Sequence, residues 1–219
     1  MYSDNFEPLG SNCEFGFVLQ RVENYTPSLF RWTSIQLNDL ARLLDANFLG
    51  AFERSKIKPH TDDMVLDVEF QWAFHSALKS ENGAFSIEAP KLEKLFRIER
   101  SRVHQLIERF RSRLQSGEVL CVFSADGLED AQVLGLKAAI DRVAGNNDNG
   151  LIVVSGDEAA EAPPGHLRAL SDRTWRGRVS QLAPWFQADA ADYDNWQSVL
   201  TTGSDLYLGI SQPPTDQAS

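Results

Sequence analysis

Thiols are the strongest nucleophiles among side chains at neutral pH, and this 219-residue chain holds two, Cys13 and Cys121. Cys13 stands in Leu9-Gly10-Ser11-Asn12-Cys13-Glu14-Phe15-Gly16-Phe17, where a tight turn meets a helix start. Ser11 followed three residues later by Glu14 has the spacing of a capping box, which would put Cys13 in the first helical turn. A thiol there faces unpaired backbone donors and the positive end of the helix dipole, so its expected pKa lies below the free value of about 8.5. The competing reading is a buried, inert cysteine, a common fate for this residue. A catalytic thiol also needs a base and an oxyanion site. Of His60, His75, His104 and His166, the candidate base is His75, because it follows a strand; otherwise it is a satisfied core or surface histidine. The Cys13 amide with the Ser11-Asn12 turn is the candidate oxyanion site. Asp126 and Asp157 are candidates to orient the histidine or, alternatively, to cap the helices that follow them. Arg31-Trp32 could orient an anionic or sugar substrate, or be a packed aromatic with an arginine reaching to water. Ser155 and Asp157 are substrate-binding candidates at a strand end.

The surrounding pattern supplies elements to hold these groups. Phe6 to Leu9 reads as an edge strand, and Cys13 to Val22 as the helix after it. Leu37, Leu40, Leu43 and Leu44 recur at helical spacing up to Asn47, and Lys56 to Asp63 reads as a polar loop. Met64, Leu66, Val68 and Phe70 alternate with Val65, Asp67 and Glu69, the pattern of a half-buried strand. Ala84 to Ile87 is a second strand candidate, so Met64 to Ile87 is expected to be a hairpin beside the site. Lys91 to Leu114 is the longest amphipathic helix, with its arginines interleaved by glutamates on a solvated face. Val119 to Phe123 and Leu151 to Val154 are apolar runs suited to strands buried on both faces. The amphipathic stretch Glu129 to Val143 joins them as a crossover, so these two strands are expected to be parallel. Further on, His166 to Leu170 reads as a strand, Val179 to Phe186 as a short helix, Asp192 to Leu200 as a helix and Leu206 to Ile210 as a short strand. The expected fold is therefore α/β, three-layered, with a mostly parallel sheet flanked by helices and a small antiparallel hairpin. Residues 1–210 are expected to form one domain, and 211–219 a mobile polar tail.

Composition narrows the partners. A net charge of -10 argues against a general nucleic-acid surface, whose affinity comes from excess Lys and Arg. No apolar run reaches the roughly 20 residues of a membrane span, and the first residues lack a secretion signal's basic region and apolar core. The expectation is a soluble, cytoplasmic protein with both cysteines as thiols; its oligomeric state is not read from the sequence. Phosphate-loop and dinucleotide glycine signatures are absent, and the histidines and cysteines lack metal-ligand spacing, so no metal and no obligatory cofactor is expected.

The block Leu9-Gly-Ser-Asn-Cys-Glu-Phe-Gly-Phe-Val18, followed by Leu29-Phe-Arg-Trp-Thr-Ser34 and Phe74-His75, resembles a bacterial family of papain-like cysteine peptidases. The resemblance implies a Cys13/His75 nucleophilic site, a peptide or amide substrate, and as a fold alternative the papain-like α+β arrangement. The chain departs from the family at Arg31 and Ser76, where many members carry Asp. Its Gly-Ser-Asn-Cys is also similar to the Gly-Asn-Cys of capsule-polysaccharide acyltransferases, which implies coenzyme A as an acyl donor. The leading expectation is a cysteine-nucleophile enzyme acting on an acyl, ester or amide bond of a small-molecule, peptide or glycan substrate. The alternatives are an acyltransferase of surface-polysaccharide biosynthesis and a non-catalytic binding module.

Overall fold

The computed structural model describes residues 3–210; the expected tail at 211–219 lies outside them. The chain runs β1 (Phe6–Pro8), α1 (Glu14–Arg21), β2 (Thr33–Ser34), α2 (Leu37–Asp45), β3 (Ile57–Pro59), β4 (Met64–Asp67), β5 (Trp72–His75), β6 (Ser80–Glu81) and β7 (Ala84–Phe85). It continues with α3 (Ala89–Ser116), β8 (Leu120–Ser124), α4 (Asp130–Ala144), β9 (Gly150–Ser155), β10 (Leu167–Ser171), β11 (Thr174–Arg178) and α5 (Tyr193–Tyr207).

The architecture is α/β. Five strands form one sheet in the order β1-β8-β9-β11-β10, parallel except for the β10–β11 pair. β8 and β9 are adjacent and parallel, pairing Leu120 with Gly150 through Ser124 with Val154, as the apolar runs and the crossover α4 require. Alternation along these strands splits the core in two. Cys121, Phe123, Leu151 and Val153 face an apolar cluster shared with α2, α3 and α4. Leu120, Val122, Ile152 and Val154 face a second cluster with α1 and α5. A sheet covered on both faces has no solvated side, which is why its strands read as continuous apolar runs.

A separate antiparallel sheet, ordered β2-β5-β4-β3, lies between β1 and β8 in sequence. Aromatic rings tie it to α3: Phe30 contacts Trp72 and Phe110 at 5.5 and 5.3 Å between centroids, and Phe52 contacts Phe74 and Phe96 at 5.1 and 5.3 Å. Such pairs add to burial through edge and offset geometry.

Several local expectations are corrected. The polar stretch 56–63 contains β3, whose Ile57 is buried although its neighbours are not. β4 pairs with β5, whereas β7 pairs with β6, because the turn after Asp67 closes a nearer hairpin than the one expected to reach Ile87. On β4 the inward residues are Val65 and Asp67; Asp67 is buried because it accepts from the Phe52 and Glu69 amides at 2.8 and 3.0 Å. Trp175-Arg-Gly177 belongs to β11, and of the helix expected over 179–186 only the single 3-10 turn Trp185–Gln187 forms. Arginines inside β11 hid its strand character. No strand forms at 206–210, because α5 continues to Tyr207 with Val199, Leu200, Gly203 and Ser204 buried.

Candidate functional site

β1 is parallel to β8, so the chain leaves β1 on the carboxyl edge of the sheet, where open α/β folds hold ligands. It turns there through Gly10 and Ser11, both at positive φ, 89° and 84°. Gly10 is required twice: a Cβ would strike Ile35 Cγ2 at 2.8 Å, and the backbone lies where L side chains are strained. Ser11 holds its strained conformation through bonds on two sides. Its Oγ pairs with Ser124 Oγ at the end of β8 (2.8 Å), and its carbonyl accepts from Ser34 Oγ of β2 at 2.9 Å. One residue thus stitches the two sheets beside Cys13.

The capping box does not form. Ser11 is committed to Ser124, and the amide of Glu14 is satisfied by Asn12 Oδ1 at 2.8 Å. Cys13 is the residue before the helix rather than in its first turn. Glu14 turns inward, fully buried, where its Oε1 accepts from Trp196 Nε1 at 2.8 Å. Burial outweighs that bond and raises the Glu14 carboxyl to about 7. Close behind, α1 packs with Gly16 against the Arg31 carbonyl, which a Cβ would meet at 2.7 Å.

Cys13, partly exposed, lines a cavity of about 650 Å³ together with Asn12, Ser34, His60, Asp63, His75 and Trp185. His75 ends β5, and the β4–β5 register sets it opposite Met64, so the residue before Met64 falls beside the imidazole. That residue is Asp63, whose Oδ2 lies 3.0 Å from His75 Nδ1. Burial pulls the Asp63 carboxyl upward, but His75 outweighs it and holds the group below the usual carboxylate range. An ionised Asp63 accepts from Nδ1–H and leaves Nε2 as the basic nitrogen. His75 and His60 both face the Cys13 cavity; His104 lies on α3 and His166 precedes β10, its Nδ1 at 3.1 Å from the Pro164 carbonyl.

The thiol is not the activated thiolate expected. Burial, followed by the charge of Asp63, pushes Cys13 up to about 11. Cys13 Sγ makes no hydrogen bond to His75 among the described residues. Cys121 is buried in β8, and burial raises its thiol as well.

The remaining sequence candidates lie elsewhere. Asp126 does not orient His75: its Oδ1 accepts from the Gly156 amide at 2.7 Å, while Asp157 accepts from the Gly127 amide at 2.6 Å. These reciprocal bonds lock the loops after β8 and β9 to one another, and neither aspartate caps α4, which is capped by Glu129 and Gln132. Arg31 is buried, donating to the carbonyls of Thr26, Asn24 and Gly16 at 3.1, 2.6 and 3.2 Å. It braces the loop after α1 rather than a substrate. Trp32 packs edge-on against Phe17 and lines a smaller cavity of about 250 Å³ on another side of His75. Ser155 is fully buried and does not line the Cys13 cavity. Of the oxyanion candidates, Asn12 lines that cavity, with its Nδ2 3.5 Å from the Ala183 carbonyl.

Asp63 and Trp185 are the residues that sequence reasoning missed. Pairing Met64–Asp67 directly with Trp72–His75 would have placed Asp63 beside His75, since Ser76 donates its amide to the Asp63 carbonyl at 2.9 Å. Trp185 carries no sequence signal; its segment meets the site where Asn12 Nδ2 lies 3.5 Å from the Ala183 carbonyl. Among the described residues no group of three or more His, Cys, Asp or Glu is placed to hold a metal ion, and no helix is long and apolar enough to cross a membrane. No protein-family model, curated protein or solved structure matches the chain.

Proposed function

We propose that the protein is a cysteine-nucleophile enzyme acting on acyl, ester or amide bonds. The observation that carries this reading is the His75 Nδ1–Asp63 pair at 3.0 Å, facing a cavity that Cys13 also lines. With a thiol raised to about 11, Cys13 rests protonated at neutral pH. The thiol proton therefore passes to His75 Nε2 as sulfur attacks the carbonyl carbon, and Asp63 stabilises the imidazolium. The Cys13 amide and Asn12 receive the oxyanion. Collapse breaks the bond to the leaving group, which takes the proton from His75 and leaves a thioester on Cys13. Water gives hydrolysis, and an acceptor hydroxyl gives acyl transfer. Acidic Asp62 and Asp63 at the cavity favour neutral or cationic substrates, such as peptides and glycans, over an anionic donor such as coenzyme A.

One observation favours a second reading, a non-catalytic binding module: the thiol is shifted away from thiolate rather than toward it. The deciding experiment follows acyl-enzyme formation by intact-mass spectrometry with an activated ester. Enzyme chemistry predicts one acyl adduct on Cys13, absent in Cys13→Ser and slowed in His75→Ala and Asp63→Asn. Adducts that ignore His75 and Asp63 would leave the binding module.

A further inference from the structure

Two arginines converge on Asp130, the first residue of α4, away from the thiol cavity, and a third, Arg178, lies beside them on β11. Arg168 of β10 donates from Nη2 to both carboxylate oxygens, at 2.8 and 3.0 Å, and Arg176 of β11 donates from Nη1 to Oδ1 at 3.0 Å. The strand register explains the convergence. Arg168 pairs with Arg176 across β10 and β11, and Arg178 pairs with Ser155 across β11 and β9, all on the face covered by α4.

Acceptors do not match donors there. Arg176 is only 2% exposed, yet its Nε and Nη2 have no hydrogen-bond partner among the described residues; Arg178 Nε and Ser155 Oγ have none either. Glu129 is committed to capping α4. The other carboxylates are Glu161, 3.6 Å from Arg168 Nε, and Glu158, 4.0 Å from Arg178 Nη2, both largely exposed and weak partners in water. Meanwhile the carbonyls of Ala160 and Ala162 accept from Arg168 Nε and Arg178 Nη1 at 3.2 Å each, so segment 158–162 covers the cluster with its own oxygens. A buried guanidinium left without acceptors is costly, and a tetrahedral oxyanion supplies several at once.

We propose that this cluster is a binding site for a phosphate group, with Arg176 and Ser155 as its floor, Arg168 and Arg178 as its walls, and segment 158–162 as a cover that the anion displaces. Glu158 and Glu161 are largely exposed, so the buried donors Arg176 Nε and Nη2 and Arg178 Nε stay open, and a phosphate, with more acceptor oxygens than a carboxylate, matches them. The site is independent of the thiol chemistry and stands or falls separately from it.

The test is calorimetric titration of the full chain with inorganic phosphate, with chloride at equal ionic strength as control. The expected result is saturable binding, weakened about tenfold or more in Arg176→Gln and in Arg168→Gln, since each removes charge-assisted donors. Glu158→Gln with Glu161→Gln, both at exposed positions, should tighten it a few-fold by loosening the cover. Should Arg176→Gln fail to fold, Arg168→Gln, a quarter exposed, carries the decision. No saturable binding to the wild type, or unchanged affinity in the foldable arginine variants, overturns the proposal.

Discussion

In β8 and β9 every residue is buried, and two apolar clusters close on the parallel sheet from opposite sides. The antiparallel sheet is different. Its β4 alternates buried and half-exposed residues, and β5 runs from buried Trp72 to exposed His75 within four residues. The two central strands of the first sheet are packed mainly by apolar side chains, with its buried charges on β1 and β11. The second combines an aromatic interior with a polar rim, and the His75–Asp63 pair sits on that rim. The proposed site is thereby separated from the apolar core, so side chains at the rim are expected to change with little cost to folding.

That separation can be broken by experiment. The largest effect is expected at the rim, where Asp63→Asn removes the group that holds His75 Nδ1. Turnover of an activated ester should fall roughly 10²- to 10⁴-fold, while stability by urea denaturation moves within about 0.5 kcal/mol, as for other exposed sites. A stability loss of several kcal/mol would show that the pair is structural.

Truncation in the aromatic layer between the same sheet and α3 should do the reverse. Phe52 is fully buried between Phe74 and Phe96. Phe52→Ala is expected to cost about 3–5 kcal/mol through lost burial and a residual cavity, read from the denaturation midpoint at unchanged slope. A cost below about 1 kcal/mol would mean that the sheet repacks around the void.

Two carboxyls anchored near β1 sharpen the comparison through pH. Burial raises Glu7 and Glu14 to about 7 from an ordinary 4.5, with Arg113 lying 3.3 Å from Glu7 as a partial counterweight. A raised carboxyl favours the neutral form in the fold. Its contribution is full below about 4.5 and is lost as pH rises through 7, on the order of 3 kcal/mol each at most. Stability measured from pH 5 to 8 should therefore fall, and Glu14→Gln should flatten the decline. A stability that rises across that window would contradict the burial assignment.

The smallest effect is expected at the surface bridge between α2 and α4, where Arg142 Nη2 meets Asp45 Oδ1 at 2.6 Å with both side chains exposed. Arg142→Ala should cost less than about 1 kcal/mol, and less still in high salt. A larger, salt-independent loss would indicate packing by the arginine stem.

The parallel core was legible in the sequence because Val119 to Phe123 and Leu151 to Val154 carry an apolar signal that burial on both faces demands, and the intervening helix leaves one economical connection. Lys91 to Leu114 likewise announced α3 by its spacing, and the turn-to-helix change near Cys13 was legible, although Cys13 falls just before the helix and not in its first turn as expected. β11 was not legible, because Thr174–Arg178 carries two arginines, of which Arg176 is buried against Asp130, 46 residues away along the chain. The fate of Ser11 depended on Ser124, 113 residues away, and once that bond formed the local capping box was lost. The partner of His75 depended on hairpin register, and the state of the Cys13 thiol on how deeply its loop is covered. Periodicity reports which face of an element is buried, because burial acts on every turn or alternate residue. Hydrogen-bond partners and pKa values are set by single contacts between distant segments, and those exist only once the chain is folded.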